Sequence, residues 1–308
     1  MRRKTAAARR FKKWVAYPLQ ALLVYALYGL FRILPTDTAS AVGGWMGRII
    51  GPCLLAHEKA RRTLVTAMPD LPVAEQARIL AGMWDNLGRV LAEYAHLGEF
   101  GPERVEVIGA EILEKIHAEG QPVLVISGHF ANWEVIPVTS VRYGLEPQLV
   151  YRPANNPYVD RLLSRVRQPM GKRLARKGTE GARSVQAALK SGQAVGMLVD
   201  QKHNKGIAVP FFGREAMTAP AVALLALHHK APIVMVRCER LEGAHFRLTV
   251  CPPLAMPEGM TREESVKDIL VRINRQLEEW IRERPEQWLW LHRRWSEMKQ
   301  EEERDGHG

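Results

Sequence analysis

The spacing of apolar and polar positions changes near residue 100. Before it, apolar residues recur three and four apart over 57–68 and 73–97, a pattern typical of helices that bury one face. From Val105 onward, short β-branched runs alternate with helical segments, as in βαβ units with a largely parallel sheet. The chain is therefore predicted to adopt an α/β fold, in which a helical N-terminal region precedes a mixed, largely parallel sheet flanked by helices.

The strands of this sheet are predicted from short apolar runs. A turn starting at Leu241 should lead into one more strand, paired antiparallel at one edge of the sheet. An amphipathic helix is expected over 261–282. The runs are Val105–Ile108, Val123–Ile126, Pro147–Tyr151, Ala194–Val199 and Ile233–Cys238, the added strand is Phe246–Cys251, and the intervening helices include Asn156–Arg167 and Gly181–Lys190.

An uncharged run from Trp14 to Phe31 follows a basic N-terminal arm. As a helix it would be roughly 27 Å long, close to the thickness of about 30 Å of a hydrocarbon core. The alternatives are a signal peptide, which the length of the run and the lack of a small-x-small cleavage site disfavour, and a buried core helix. Basic residues flank both ends, so we expect a helix that inserts or lies in the cytoplasmic leaflet.

These patterns suggest a division into three segments. Residues 1–35 form the basic arm and membrane anchor, and residues 36–298 form the main domain, with a helical collar to about residue 100 and an α/β core over about 105–255. Residues 299–308 are a charged tail. Glycines four apart, such as Gly43 and Gly47, would permit close helix packing in the collar, although a loose helix end is an equal alternative.

Composition narrows the classes of partner. The 308 residues carry a formal net charge of +11, which suits an anionic lipid surface, a phosphorylated substrate or an acidic carrier protein. Nucleic acid is disfavoured because there is no zinc-finger spacing, RNP-like block or basic helix with interleaved aromatics. The three cysteines are widely spaced and indicate neither a disulfide framework nor a zinc site. Metal and nucleotide motifs are missing as well.

The stretch from Gln121 to Glu134 carries the candidate chemistry. His129 follows the predicted strand that ends near Ser127, and ligands of α/β sheets bind at the carboxyl ends of strands. Glu134 lies about 140° from His129 around an ideal helix, so the two meet only if His129 lies in the turn. A carboxylate on one ring nitrogen would leave the other free to accept a proton. The alternative is a capping histidine and a solvated glutamate.

The heptapeptide Gly-His-Phe-Ala-Asn-Trp-Glu resembles the His-x4-Asp/Glu motif of the glycerolipid and lipid A acyltransferase superfamily, particularly its branch of late acyltransferases of bacterial lipid A biosynthesis. Three more blocks are similar in order and spacing. The chain departs from the family pattern at Lys202-His203-Asn204, where relatives often carry Asp-x-Gly. The contacts of this loop with the acceptor therefore do not follow from the resemblance, whereas the chemistry does. The blocks are Tyr151-Arg-Pro, Asp200-Gln with Val209-Pro-Phe-Phe-Gly213, and Pro285-Glu-Gln-Trp-Leu-Trp-Leu-His-Arg-Arg294.

This resemblance implies transfer of a fatty acyl chain from acyl carrier protein to a hydroxyl of a lipid A precursor, an anionic glycolipid. It places the enzyme at the inner membrane, with the catalytic domain on the cytoplasmic side, and requires no metal or organic cofactor. Acyl-CoA as donor, a glycolipid or lysophospholipid acceptor, and a non-catalytic membrane-attached lipid-binding protein are the alternatives.

Within that reaction His129 is predicted to be the general base and Glu134 its orienting carboxylate. Ser127 is disfavoured as a covalent nucleophile because no nucleophile elbow surrounds it. Either Arg152 or Arg167 could stabilise the oxyanion or bind an acceptor phosphate. Asp200 could equally anchor an arginine. The candidate substrate-binding residues are Arg152, Arg167, Asp200 and Asn132.

Overall fold

The computed structural model describes residues 12–295, so most of the predicted basic arm and the whole charged tail lie outside it. Four α-helices form the described N-terminal part, which confirms the predicted helical region. Short turns of 3₁₀-helix, Gly51–Cys53 and Tyr94–Glu99, follow the second and fourth. The helices are α1 (Tyr17–Ile33), α2 (Thr36–Ile50), α3 (Leu55–Ala67) and α4 (Val73–Glu93).

The remaining elements build a seven-stranded sheet with flanking helices and a separate two-stranded sheet, which confirms the predicted α/β class. The strands are β1 (Val105–Ile108), β2 (Val123–Ser127), β3 (Gln148–Tyr151), β4 (Leu174–Arg176), β5 (Ala194–Leu198), β6 (Lys202–Phe211), β7 (Arg214–Thr218), β8 (Ile233–Arg240) and β9 (Phe246–Val250). The helices are α5 (Ala110–Glu119), α6 (Val135–Arg142), α7 (Pro157–Val166), α8 (Thr179–Lys190), α9 (Ala221–His229) and α10 (Arg262–Glu283).

The strand order of the large sheet is β1-β9-β8-β2-β5-β3-β4, and every neighbouring pair is parallel except β8 and β9. Strand β2 therefore lies centrally between β8 and β5, and all five of its residues are buried. The register pairs Ser127 of β2 with Leu198 of β5. As a result, the residues that follow these two strands emerge side by side at the carboxyl edge.

Two details of the sheet differ from the sequence prediction. The antiparallel pair β8–β9 is present, but β9 lies between β8 and β1, so β1 forms the edge. The predicted edge position was wrong because β1 returns to pair in parallel with β9. The short strand β4 and the β6–β7 pair were also missed, since β4 has only three residues and much of β6 is polar.

Helices α2 and α4 pack closely because glycines face each other at their contact. A Cβ added at Gly47 would overlap the backbone oxygen of Trp84, and one added at Gly88 would overlap that of Gly43. The glycines of α2 therefore permit close packing, and they do not mark a loose helix end.

One face of α1 is exposed and apolar, while its other face is attached to the protein. At one end the Asn156 side chain donates to the Tyr17 carbonyl (2.8 Å), and at the other the His96 Nε2 contacts the Phe31 carbonyl (2.8 Å). Between them the Tyr25 hydroxyl donates to the Tyr158 carbonyl (3.3 Å) on α7. Among residues 12–295, Lys13–Ile33 is the one helical segment long and apolar enough to cross a membrane.

The segment after α10 folds back into the core and reaches the carboxyl edge of β2. Its three tryptophans are almost fully buried beside the aromatic rings of Phe211 and Phe212 at the end of β6. Burial of such large rings is a dominant source of packing energy. The C-terminal segment is thus an integral part of the core. The tryptophans are Trp288, Trp290 and Trp295.

Candidate active site

The turn after β2 is held against the C-terminal segment by backbone hydrogen bonds. The Ala131 N–H donates to the Gln287 carbonyl (2.9 Å), and the Leu289 N–H donates to the His129 carbonyl (3.1 Å). Ala131 has φ = +45°, a conformation that costs energy in a residue with a side chain. The two backbone hydrogen bonds stabilise this strained turn and fix the position of His129 after the strand.

The carboxylate in contact with the His129 ring is that of Asp200. Its Oδ1 lies 2.7 Å from His129 Nδ1, and its Oδ2 accepts the backbone N–H of the same residue at 2.7 Å. Since a carboxylate is an acceptor, Nδ1 carries the proton, and Nε2 of the neutral ring has a free lone pair. The pair therefore has the geometry of a general base held by an orienting carboxylate.

Asp200 is held as an anion although it is completely buried. Burial alone would raise its pKa, but attraction to His129 and hydrogen bonds from that residue outweigh burial and keep the pKa below its usual value. The Trp288 indole N–H is a third donor, at 2.9 Å from Oδ2. With both oxygens satisfied, Asp200 is fixed in position. The sequence suggested that Asp200 binds substrate or anchors an arginine, but its partner in the structure is a histidine.

The predicted contact between Glu134 and His129 is not formed. Glu134 precedes α6, and its carboxylate accepts from the Tyr94 hydroxyl and from Arg167 Nη2 (3.1 Å). Burial would lower the pKa of Arg167, but the charge of Glu134 raises it above its usual value. Burial and then Glu134 raise the pKa of Tyr94, which stays protonated. Glu134 is thus part of a polar cluster of its own.

Asn132 has a structural environment, contrary to its predicted contact with substrate. Its side chain is fully buried, with Nδ2 donating to Glu93 (2.9 Å) and Oδ1 accepting the Glu134 N–H (3.1 Å). Glu93 in turn forms a bidentate ion pair with Arg240 of β8. This network connects the active-site turn to α4 and to the sheet, and it leaves the Asn132 amide no surface to offer a ligand.

Of the other predicted residues, Arg152 is the most accessible. It follows β3 at the carboxyl edge, is exposed, and makes no hydrogen bond or ion pair within residues 12–295. Arg167 is mostly buried and already contacts Glu134 and Tyr94. Ser127 is buried, and its hydroxyl contacts the Gly128 carbonyl (3.3 Å).

Two residues that the sequence did not single out complete the site. The Gln201 amide nitrogen lies 3.3 Å from His129 Nε2 and 3.4 Å from His292 Nε2. The two imidazole rings are tilted with centroids 4.7 Å apart. Burial, followed by the nearness of His129, lowers the pKa of His292 to about 4, so its ring is neutral near pH 7. Both residues lie in blocks noted for their resemblance, but no local spacing links them to His129.

This arrangement can deprotonate a hydroxyl. Nε2 of His129 faces the exposed side chain of Gln201, Nδ1 is held by an anion, and the Trp133 ring packs edge-on against the imidazole (4.9 Å). Within residues 12–295, no three His, Cys, Asp or Glu side chains are grouped to hold a metal ion. The groups present are suited to general acid–base chemistry near neutral pH.

Comparison with known proteins identifies relatives over nearly the whole chain. A family model described as bacterial lipid A biosynthesis acyltransferase matches residues 8–297. The chain is 28% identical over 271 residues to the lipid A biosynthesis palmitoleoyltransferase of Escherichia coli K12, covering 85% of this chain and 86% of the relative. It is 28% identical over 274 residues to the lauroyltransferase of that organism (85% and 86%), and 25% identical over 255 residues to its myristoyltransferase (80% and 77%).

Proposed function

The chain belongs to the bacterial lipid A biosynthesis acyltransferase family, and we propose that it transfers a fatty acyl chain from acyl carrier protein to a hydroxyl of a lipid A precursor. The observation that carries this proposal is the His129–Asp200 pair, in which Nδ1 is bound by a buried carboxylate and Nε2 faces an exposed side chain. A base so arranged suits attack by an alcohol on a thioester.

The proposed reaction is a direct transfer. The acceptor hydroxyl donates its proton to His129 Nε2 while its oxygen attacks the thioester carbonyl carbon. The resulting imidazolium is stabilised by Asp200, which is ionised and 2.7 Å from Nδ1. Collapse of the tetrahedral intermediate breaks the carbon–sulfur bond, and the imidazolium returns its proton to the thiolate. Direct transfer is favoured because the Ser127 hydroxyl is buried and contacts a backbone carbonyl.

The charge of the protein supports anionic substrates. The net charge is +11, which favours encounter with an acidic carrier protein. We propose Arg152 as the contact for an acceptor phosphate, because its guanidinium is exposed and free of partners in the described part of the chain. Arg167 has a structural role in this proposal, because its Nη2 already donates to Glu134 and to Tyr94.

The reaction is tested with the purified protein in detergent, a lipid A precursor, and donors on acyl carrier protein or CoA, with the product identified by mass. We expect product with the carrier-protein donor, and His129→Ala should lower kcat by about 10²–10⁴, the usual contribution of a positioned base. Preference for CoA would identify an acyl-CoA-dependent enzyme. If no donor gave product while the lipid still bound, a non-catalytic lipid-binding protein would replace the proposal.

We also propose that α1 attaches the protein to the cytoplasmic face of the inner membrane without crossing it. Helix α7, which contacts α1 at Tyr158, carries Asp160, Arg161 and Arg165, and charged side chains are costly inside a bilayer. A helix held by the protein at Tyr17, Tyr25 and Phe31 is not surrounded by lipid. Its exposed face, with Leu19, Leu22 and Leu23 at 62–68% exposure, would lie in the leaflet.

Changing these three leucines to serine should release the protein from the membrane fraction and leave the fold intact, because their side chains are exposed. Each buried leucine contributes about 1.5 kcal/mol or more to partitioning, so we expect at least a tenfold shift toward the soluble fraction. Activity should fall on acceptor in vesicles more than on acceptor in detergent. Leu224→Ser, on an exposed position of α9, is the control. Unchanged membrane binding would refute the attachment.

A further inference from the structure

The tetrahedral intermediate of acyl transfer carries a negative oxygen, which requires a hydrogen-bond donor in the site. Three backbone N–H groups of the active-site turn are already bonded: that of His129 to Asp200, that of Phe130 to the Gly128 carbonyl, and that of Ala131 to the Gln287 carbonyl. Arg167 is bound to Glu134. An oxyanion site made from these three N–H groups or from Arg167 would require existing bonds to break, and Arg152 is the proposed contact for the acceptor phosphate.

Gln201 is the polar donor in contact with the reactive nitrogen. Its amide nitrogen lies 3.3 Å from His129 Nε2, the atom that receives the hydroxyl proton. An attacking oxygen hydrogen-bonded to Nε2 brings the thioester carbonyl into the same space, so the developing oxyanion forms within reach of this amide. The side chain of Gln201 is exposed, and no buried packing prevents its amide from turning to the new acceptor.

We propose that the Gln201 carboxamide donates the hydrogen bond that stabilises the oxyanion, and that His292 is the residue that positions it. The proposal rests on acyl transfer as the function. In the free site, one N–H of the amide points to His129 Nε2 and the other to His292 Nε2, at 3.4 Å. The incoming hydroxyl takes the place of the first contact and frees that N–H for the oxyanion. The second contact holds the amide in the site.

The environment of His292 suits this role. Because Nδ1 of His129 donates to Asp200, its Nε2 is an acceptor, and the contact at 3.3 Å requires the nitrogen end of the carboxamide to face it. The same end faces His292, so the His292 Nε2 must also be an acceptor. Burial lowers the pKa of His292 to about 4, which keeps the ring neutral and able to accept during turnover near pH 7.

The test measures kcat and KM for both substrates in Gln201 and His292 variants. Gln201→Ala should lower kcat by roughly 10²–10³, as loss of one oxyanion donor does, with KM nearly unchanged. His292→Ala should lower kcat by roughly tenfold, within the range of coupling between residues in contact. His292→Gln should recover most of that loss, because its Oε1 can take the place of Nε2 as acceptor. Gln276→Ala, at a partly exposed position of α10, is the control.

The double variant separates positioning from an independent role. If His292 acts through Gln201, adding His292→Ala to Gln201→Ala should lower kcat no further. If the two losses of kcat multiply in the double variant, the positioning role of His292 is overturned. If the Gln201→Ala enzyme keeps a nearly normal kcat, the oxyanion assignment is overturned, but turnover by the wild-type protein still supports the proposed function. A wild-type protein inactive with all thioesters would overturn both. Equal thermal stability of the variants confirms that the changes are local.

Discussion

Asp200→Asn should nearly abolish acyl transfer and leave substrate binding almost unchanged. An asparagine amide at this position can donate to His129 Nδ1, which would move the ring proton to Nε2 and leave no base facing the hydroxyl. In serine proteases the equivalent change lowers kcat by about 10⁴ through the same tautomer error. We therefore expect a loss on the order of 10³–10⁴ in kcat, measured at saturating concentrations of both substrates.

Glu134→Gln is the comparison for this experiment. Glu134 is the carboxylate that the sequence suggested as the partner of His129, but its contacts are Tyr94 and Arg167. Its amide variant should retain far more kcat than Asp200→Asn and should show its main effect in stability, because the buried Arg167 loses its counter-charge. An equal loss of kcat in the two variants, with normal stability in Glu134→Gln, would restore Glu134 as the orienting carboxylate.

The largest loss of stability is expected from Glu93→Ala. Glu93 is fully buried and accepts from Arg240, Ser40 and Asn132. Removing it leaves a buried guanidinium without a counter-charge, which costs about 3–5 kcal/mol. The free energy of unfolding, measured by denaturant titration in detergent, should fall by this amount. Activity should fall too, because Asn132 holds the turn that carries His129.

An exposed arginine–glutamate pair between two strands of the large sheet provides the control. Arg247 of β9 and Glu106 of β1 are 2.9 Å apart, with side chains 38% and 51% exposed. Water solvates both charges when the pair is broken, so Glu106→Ala should cost no more than about 1 kcal/mol. If Glu93→Ala and Glu106→Ala lowered the free energy of unfolding by similar amounts, burial would not be the reason that the Glu93–Arg240 pair stabilises the protein.

Much of the fold follows from local sequence patterns. The strand β2 and the helix α10 were predicted close to their observed bounds, since each depends on which side chains of a short segment are buried. Thr261 also forms a capping box with Glu264 at the start of α10, a signal that lies within four residues. The position of His129 in a turn after a buried strand could be predicted for the same reason.

The partners of the site residues could not be predicted in this way. Asp200 lies 71 residues after His129, and the two meet because β5 is the sheet neighbour of β2, although β3 and β4 intervene in the chain. Glu134 was an attractive partner because it is close in sequence. The Glu134 carboxylate, however, points to Arg167, which follows α7, and to Tyr94, which follows α4.

The sequence by itself determined the α/β class, the apolar N-terminal helix, the position of His129 at the carboxyl end of a buried strand, and the likeness to a family. Only the tertiary structure decided that Asp200 contacts His129, that Glu134 and Asn132 belong to buried networks, and that Gln201 and His292 complete the site. The physical reason is that a periodic pattern records which face of one element is buried. The neighbour of a side chain is set by strand order and by the return of the C-terminal segment, which depend on the packing of the whole chain.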